Sequence, residues 1–394
     1  MRNNLQFSTN QNGFIPKIEE KWWDRFTSQS HQLYFTAAIF FAFVSMLLTF
    51  ISFLGKLPLD FALIHGFGLN YTVFTNAFLG FLITVMPKFN GSKVITKNEY
   101  LIPWFIFQMA SILVLIGFEK IGKIVVALVM FYFVKIFYDT IKQGRATFKK
   151  DSIYLNLVFL FGAIFLVLEV VFQINLSLLI FFSYLISLVF LVAQRMIPAF
   201  YSSYMQTLSW KKPKYIREIS TLIFLCLGIS LQFEFSLFLK ISSFVAMIFF
   251  GYIVINLNIY KKSPAIISIK VISFIWFEIG FIALFIESIF EIYSLKLSLH
   301  IFALGFVATL LIGFGSRVVM GHAVPAQKII ADKITKFVFV LTQVVLVSRI
   351  LASVLFLNDS MIYMGFLHLS SWLWIFMFII WSVRYAKTLV RIKQ

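Results

Sequence analysis

The sequence is nearly free of cysteine: Cys226 is the single thiol in 394 residues. One thiol makes no intrachain disulfide and no cysteine-rich zinc or iron–sulfur cluster. Inside an apolar run, it reads as a small buried hydrophobe. Charge is also scarce. Asp, Glu, Lys and Arg make up 13% of the chain, against about 25% in an ordinary soluble domain. Acidic residues are the scarcest, 16 against 34 Lys and Arg, for a net charge of +18. The 8 prolines and 18 glycines gather into no linker, and no connection is long enough for a soluble domain. Residues 1–30 are polar and mixed in charge, so no cleavable leader is expected. There is no Walker loop, H-E-x-x-H, G-x-S-x-G, Rossmann fingerprint or C-x-x-C-H. No adjacent histidine pair occurs either, which argues against a binuclear oxidase centre. No catalytic motif decides whether the chain is an enzyme.

What is present is apolar length. Hydrophobic residues are 61% of the chain and its mean hydropathy is +0.93. Runs of about 20 apolar residues read as membrane-spanning helices, whereas barrel strands would alternate over about ten. Twelve spans are expected: His31–Leu54, Phe61–Met86, Tyr100–Phe118, Ile121–Ile141, Ile153–Phe172, Leu176–Met196, Ile216–Phe235, Phe238–Ile259, Ile267–Phe290, Lys296–Met320, Ile334–Phe356 and Met361–Ala386. The expectation is an all-α polytopic bundle over residues 31–386, with a segment 1–30 before it and a tail 387–394. Trp22 and Trp23 stand where interfacial anchors belong.

The charges test this count. Every Lys and Arg except Lys56, Lys120, Lys123, Lys135, Lys240, Lys296 and Arg349 falls at the termini, at the connections after even-numbered spans or within the span ends that flank them. That alternation places both termini in the cytoplasm. It also explains the basic charge without nucleic acid. The longest connection, Ser202 to Tyr215, is expected on the anionic inner leaflet.

Polar side chains inside spans are costly and face the bundle interior. His65, His300 and His368 lie about four, four and seven residues from the outer ends of even spans, which is one level within about one turn. Neutral imidazoles from separate helices suit haem or copper; polar bridges between helices are the structural alternative. Arg349 falls in the same layer, where it wants an anion such as a haem propionate or Glu287. Glu169, Glu278 and Glu287 are intramembrane carboxylates that either carry protons or form ion pairs. Met361, Met364 and His368 share one helical face, a copper set or simple packing. His65, Thr72, Asn76, Gly80 and Thr84 form a small and polar stripe, serving either the interior or close helix contact. His31 and His322 sit at the cytoplasmic ends.

Three segments together resemble the NnrS family. His65-Gly66-Phe67-Gly68 leads to Gly80-Phe81-Leu82-Ile83-Thr84-Val85-Met86-Pro87-Lys88-Phe89-Asn90-Gly91. Arg195-Met196-Ile197-Pro198-Ala199-Phe200 is similar to the family's R-x-I-P-x-F, and His300 with Gly313, Arg317, Met320, Gly321 and His322 to its last segment. The chain departs from many relatives in keeping only His65 of a denser H-x-H-E-M, and in having Ala323 for the usual threonine. The resemblance implies a bacterial inner-membrane protein with a b-type haem and copper that serves nitric oxide metabolism or the nitrosative stress response. His65 and His300 are then the first metal-ligand candidates, followed by His368 and His322. Nitric oxide or a nitrosyl species would be the partner. Protein partners stay open. A secondary transporter without haem is the alternative, although no half-to-half repeat stands out.

Overall fold

The computed structural model describes residues 21–57, 60–206, 210, 212–257, 259–292, 296–356 and 360–391. The expected segment up to Glu20, parts of the Ser202–Tyr215 connection and the last three residues lie outside these. Twelve long helices carry the fold: α1 Ser30–Phe53, α2 Phe61–Asn90, α3 Lys97–Leu115, α4 Glu119–Gln143, α5 Lys150–Phe172, α6 Ser177–Met205, α7 Ile216–Gln232, α8 Ser236–Asn256, α9 Ala265–Phe290, α10 Leu297–Gly321, α11 Lys333–Leu355 and α12 Ser360–Leu389. Eleven are long and apolar enough to cross a bilayer. The remaining one, α7, has 17 residues. No strand occurs among the described residues. Side chains such as Phe244, Ile248, Ile255 and Val340 stand exposed along the outer helices, and only lipid accommodates so continuous an apolar surface. The polytopic helical fold is as expected.

Several ends differ from the sequence expectation. α2 and α6 run through Pro87 and Pro198 to Asn90 and Met205, beyond the expected stops at Met86 and Met196. Each proline removes one backbone donor, yet α2 continues for just under one turn beyond Pro87 and α6 for about two turns beyond Pro198. Gly91 then ends α2 at φ +63, a left-handed conformation that glycine takes without a Cβ penalty. α3 starts early, at Lys97, because Thr96 and Glu99 form a capping box before it. It stops at Leu115 rather than Phe118, followed by Gly117 at φ +102.

The packing has a threefold pattern. α4 packs on α5, α8 on α9, and α12 returns to α1. Within each group of four, the first helix packs on the second and the third on the fourth. The second helix of each group, α2, α6 or α10, is central: 78%, 83% and 61% of its most apolar stretch is buried, against 33–50% in the other long spans. Each central helix contains a widened, π-helical stretch: Gly68–Thr75, Phe181–Ile186 and Ile301–Ala308. Aligning Thr84-x-x-Pro87-x-Phe89 with Arg195-x-x-Pro198-x-Phe200 and Arg317-x-x-Met320-x-His322 makes these stretches end in register. The three motif segments therefore occupy one position in three four-helix repeats. Wide turns misalign backbone carbonyls. Thr75 and Thr309 hydroxyls answer by donating to the carbonyls of Asn70 and Leu304, both at 2.9 Å.

Candidate functional site

The three seams between repeats are filled differently. Between the second and third, phenylalanine rings close the space: Phe250 lies 4.6 Å from Phe281 and Phe190 5.4 Å from Phe277, centroid to centroid. Between the first and second there is a polar cavity of about 340 Å³, with Lys123, Glu169, Asn70 and Tyr71 in its wall. Lys123 pairs with Glu169 at 2.9 Å and also with Glu119. Between the third and first, and open also to Phe181 of α6, Leu231 of α7 and Leu239 of α8 in the second repeat, a cavity of about 810 Å³ reaches His65 of α2, His300 of α10, Arg349 of α11 and His368 of α12. It also reaches Met46, Phe50, Phe74, Leu284, Val345 and Trp374. This combination of an apolar wall and a few convergent polar groups is the usual composition of a ligand site.

Its polar groups are held by their helices. Asp60 caps α2, accepting from the Ala62 N–H at 2.8 Å, and His65 follows one turn later. The His65 ring stacks on Phe61 at 5.7 Å, and its Nδ1 is buried without a hydrogen-bond partner. Glu287 of α9 reaches over the start of α10 and accepts from the Leu297 N–H at 2.7 Å and the Ser298 N–H at 3.2 Å. These are among the orphan donors that every helix start must satisfy. Glu169 does the same for α6 through the Leu176 N–H at 2.8 Å. His300 follows on that capped turn, with its Nδ1 2.7 Å from the Lys296 carbonyl. A proton on Nδ1 makes that contact a hydrogen bond and leaves the Nε2 lone pair free, the arrangement that orients metal-ligating histidines. The His65 and His300 rings stand 6.4 Å apart at an interplanar angle of 33°.

Other expected residues fall elsewhere. His368 lines the same cavity, but its ring neighbours are Phe50 at 5.1 Å and Phe53 at 6.1 Å. The three-histidine layer is thus a facing pair with a third ring on the wall. Met361 is 83% exposed, and neither it nor Met364 lines the cavity. Arg349 donates to Ser353 Oγ at 2.8 Å, and among the described residues it makes no ion pair with Glu287, whose oxygens cap α10. Glu278 lies behind Gly251 of α8 with a buried oxygen that has no hydrogen-bond partner. The polar stripe of α2 faces helix contacts: Asn76 and Gln108 amides bond reciprocally at 2.9 and 3.1 Å, and Thr84 meets Ser30 at 3.2 Å.

At the basic end the motif residues pair across repeats. The Arg195 guanidinium sits 3.6 Å above the Phe89 ring and bonds Asp151 at 3.2 Å. Arg317 sits 4.1 Å above Phe200. Pro87 and Pro198 precede those two phenylalanines by two residues. Lys212 also reaches Asp151, at 2.7 Å, so the Ser202–Tyr215 connection is tied to the bundle itself. Burial pushes the Lys212 amine down to about 8, against the pull of Asp151. Gly321 precedes His322, whose ring meets His31 at 4.7 Å. The sequence singles out His322 here but not His31. A polar residue at a helix end costs little, so its position alone gave no signal.

A comparison with curated proteins finds no match. The family model described as NnrS protein matches residues 25–393. With nearly the whole chain covered, and all three motif segments inside the match, this chain belongs to the NnrS protein family.

Proposed function

We propose that the chain is a haem-binding membrane protein of the nitric oxide or nitrosative stress response, with the haem in the cavity between the third and first repeats. One observation carries the reading: two imidazoles from separate central helices face each other across the cavity at 6.4 Å. Two imidazoles on opposite sides of one metal ion stand roughly 6 Å apart, given metal–nitrogen bonds of about 2.0–2.1 Å. No cluster of three or more His, Cys, Asp or Glu able to hold a bare ion occurs among the described residues. Two protein nitrogens suit an iron whose other ligands come from a macrocycle, and the cavity of about 810 Å³ leaves room for one. The residues present therefore fit the group.

His65 and His300 would hold a b-type haem non-covalently. When bound, it would supply a redox-active iron, to which nitric oxide could bind only in place of one of the two imidazoles. The protein's own contribution is orientation and charge. The Lys296 carbonyl fixes the His300 tautomer, Glu287 and Asp60 anchor the two histidine-bearing turns, and Arg349 offers a guanidinium to an acidic substituent. The apolar wall keeps water away. A bacterial inner-membrane location and a copper requirement are proposed from family membership.

The test is the absorption spectrum and metal content of the purified protein, with and without nitric oxide. The wild type is expected to show a Soret band that shifts with nitric oxide, and His65→Ala and His300→Ala to lose it. Wild-type protein without a Soret band, moving a solute across liposomes, would replace this reading with the transporter.

A further inference from the structure

We propose that Arg317 and Lys270 hold an oxyanion of the phosphate class at the basic end of the seam between the second and third repeats. The two cations stand on neighbouring rings. The Arg317 guanidinium lies 4.1 Å above the Phe200 ring, the Lys270 amine 5.5 Å from the centre of the Phe314 ring, and those rings are 6.2 Å apart. Lys270 is fully buried. Its stem lies against Gly313 of α10, and its amine donates to the Ile266 carbonyl of its own helix. Arg317 is only half-buried, within reach of solvent or of a lipid headgroup.

A charge taken out of water needs a partner of opposite sign, and the repeat shows that one is missing here. In the seam before, Asp151 of α5 takes Arg195 at 3.2 Å, together with Lys212 and Arg217. Counted back from the capping carboxylates Glu169 and Glu287, the third repeat has Ile269 in the place of Asp151 and Lys270 beside it. From Ala265 to Phe277, α9 carries no acid at all. Among the described residues neither Lys270 nor Arg317 makes an ion pair. The rings offset part of the cost, but they bring no counter-charge. An anion from outside the chain answers both cations. The planar fork of Arg317 matches phosphate oxygens, and Lys270 adds its charge from behind, through an interior of low dielectric. A group with several negative oxygens can meet the fork and still face the second cation, which ranks phosphate above chloride. It is either a free phosphate or the headgroup of an anionic lipid.

The experiment uses the full-length protein in detergent and reads no haem, so it succeeds or fails apart from the outer cavity. Radiolabelled inorganic phosphate is measured by equilibrium dialysis at constant ionic strength. Phosphatidylglycerol retained through purification is counted by mass spectrometry. The wild type is expected to hold a single equivalent of one or the other: phosphate identifies a free-anion site, the lipid a headgroup site. Arg317→Lys keeps the charge but not the fork, and Lys270→Met fills the same space without charge. Each should weaken binding by roughly tenfold or more, the scale of one lost hydrogen bond to a charged group. Lys270→Met also removes an unpaired buried charge, so in delipidated, phosphate-free protein its thermal midpoint should rise above that of the wild type. Neither anion bound by the wild type, equal binding by the wild type and either variant, or a lower midpoint for Lys270→Met overturns the proposal.

Discussion

At the residue scale the chain separates chemistry from architecture by the ring each polar group meets. Arg195 is architectural, stacked on Phe89 and paired with Asp151. Lysine keeps the charge but not the planar stacking. Arg195→Lys should therefore lower stability by ~1–2 kcal/mol, read as a lower thermal midpoint in detergent with cofactor content per folded molecule unchanged. His65 and His300 were legible in the sequence because an imidazole inside an apolar run has few structural excuses. The role of Glu287 was not legible. Its partners are the backbone N–H groups of Leu297 and Ser298, which no side-chain pattern advertises. The expectation that Glu287 pairs with Arg349 followed charge complementarity and missed that a helix start competes for the same carboxylate.

At the element scale, helix starts and wide turns set which way each side chain points. Asp332 caps α11 through the Thr335 N–H at 2.8 Å and also meets Arg384. Burial pushes its carboxyl up, but the Thr335 and Arg384 hydrogen bonds outweigh this and hold it below its ordinary value. A depressed carboxylate stabilises the fold above the unfolded value of about 3.9, and that gain is lost as the pH falls through the folded value. Asp332→Ala should cost ~1 kcal/mol near neutrality and progressively less below about pH 4, measured by thermal midpoints across pH.

The π-helical stretch of α2 sits between His65 and the Pro87 end. Deleting Leu69 would shorten that wide stretch and re-aim His65 relative to that end. The shortened protein should insert and stay helical by circular dichroism yet lose the Soret band expected of the wild type. A retained band would show that the wide turn does not aim His65. Span positions were readable from apolar length, but these stretches were not, because they change hydrogen-bond register without changing composition.

At the scale of the whole molecule, three repeats of four helices close into a ring by packing α12 on α1. The sequence hid this because the third repeat replaces the proline and phenylalanine of the motif with Met320 and His322, and no search for two halves finds a threefold pattern. The ring also predicts how fragments behave. Residues 1–261 contain the first two repeats and His65, and residues 262–394 contain the third and His300. Co-expressed, the two should copurify and regain the Soret band, whereas the larger piece alone should show none. A band from the larger piece alone would move the site out of the third seam.

The return of α12 to α1 sets an order of events during synthesis. His65 leaves the ribosome early, and its partner emerges only after nine helices have been inserted. The wall carrying His368 comes later still. The pocket therefore has no complete form in a nascent chain, and any prosthetic group must arrive after translation has all but finished.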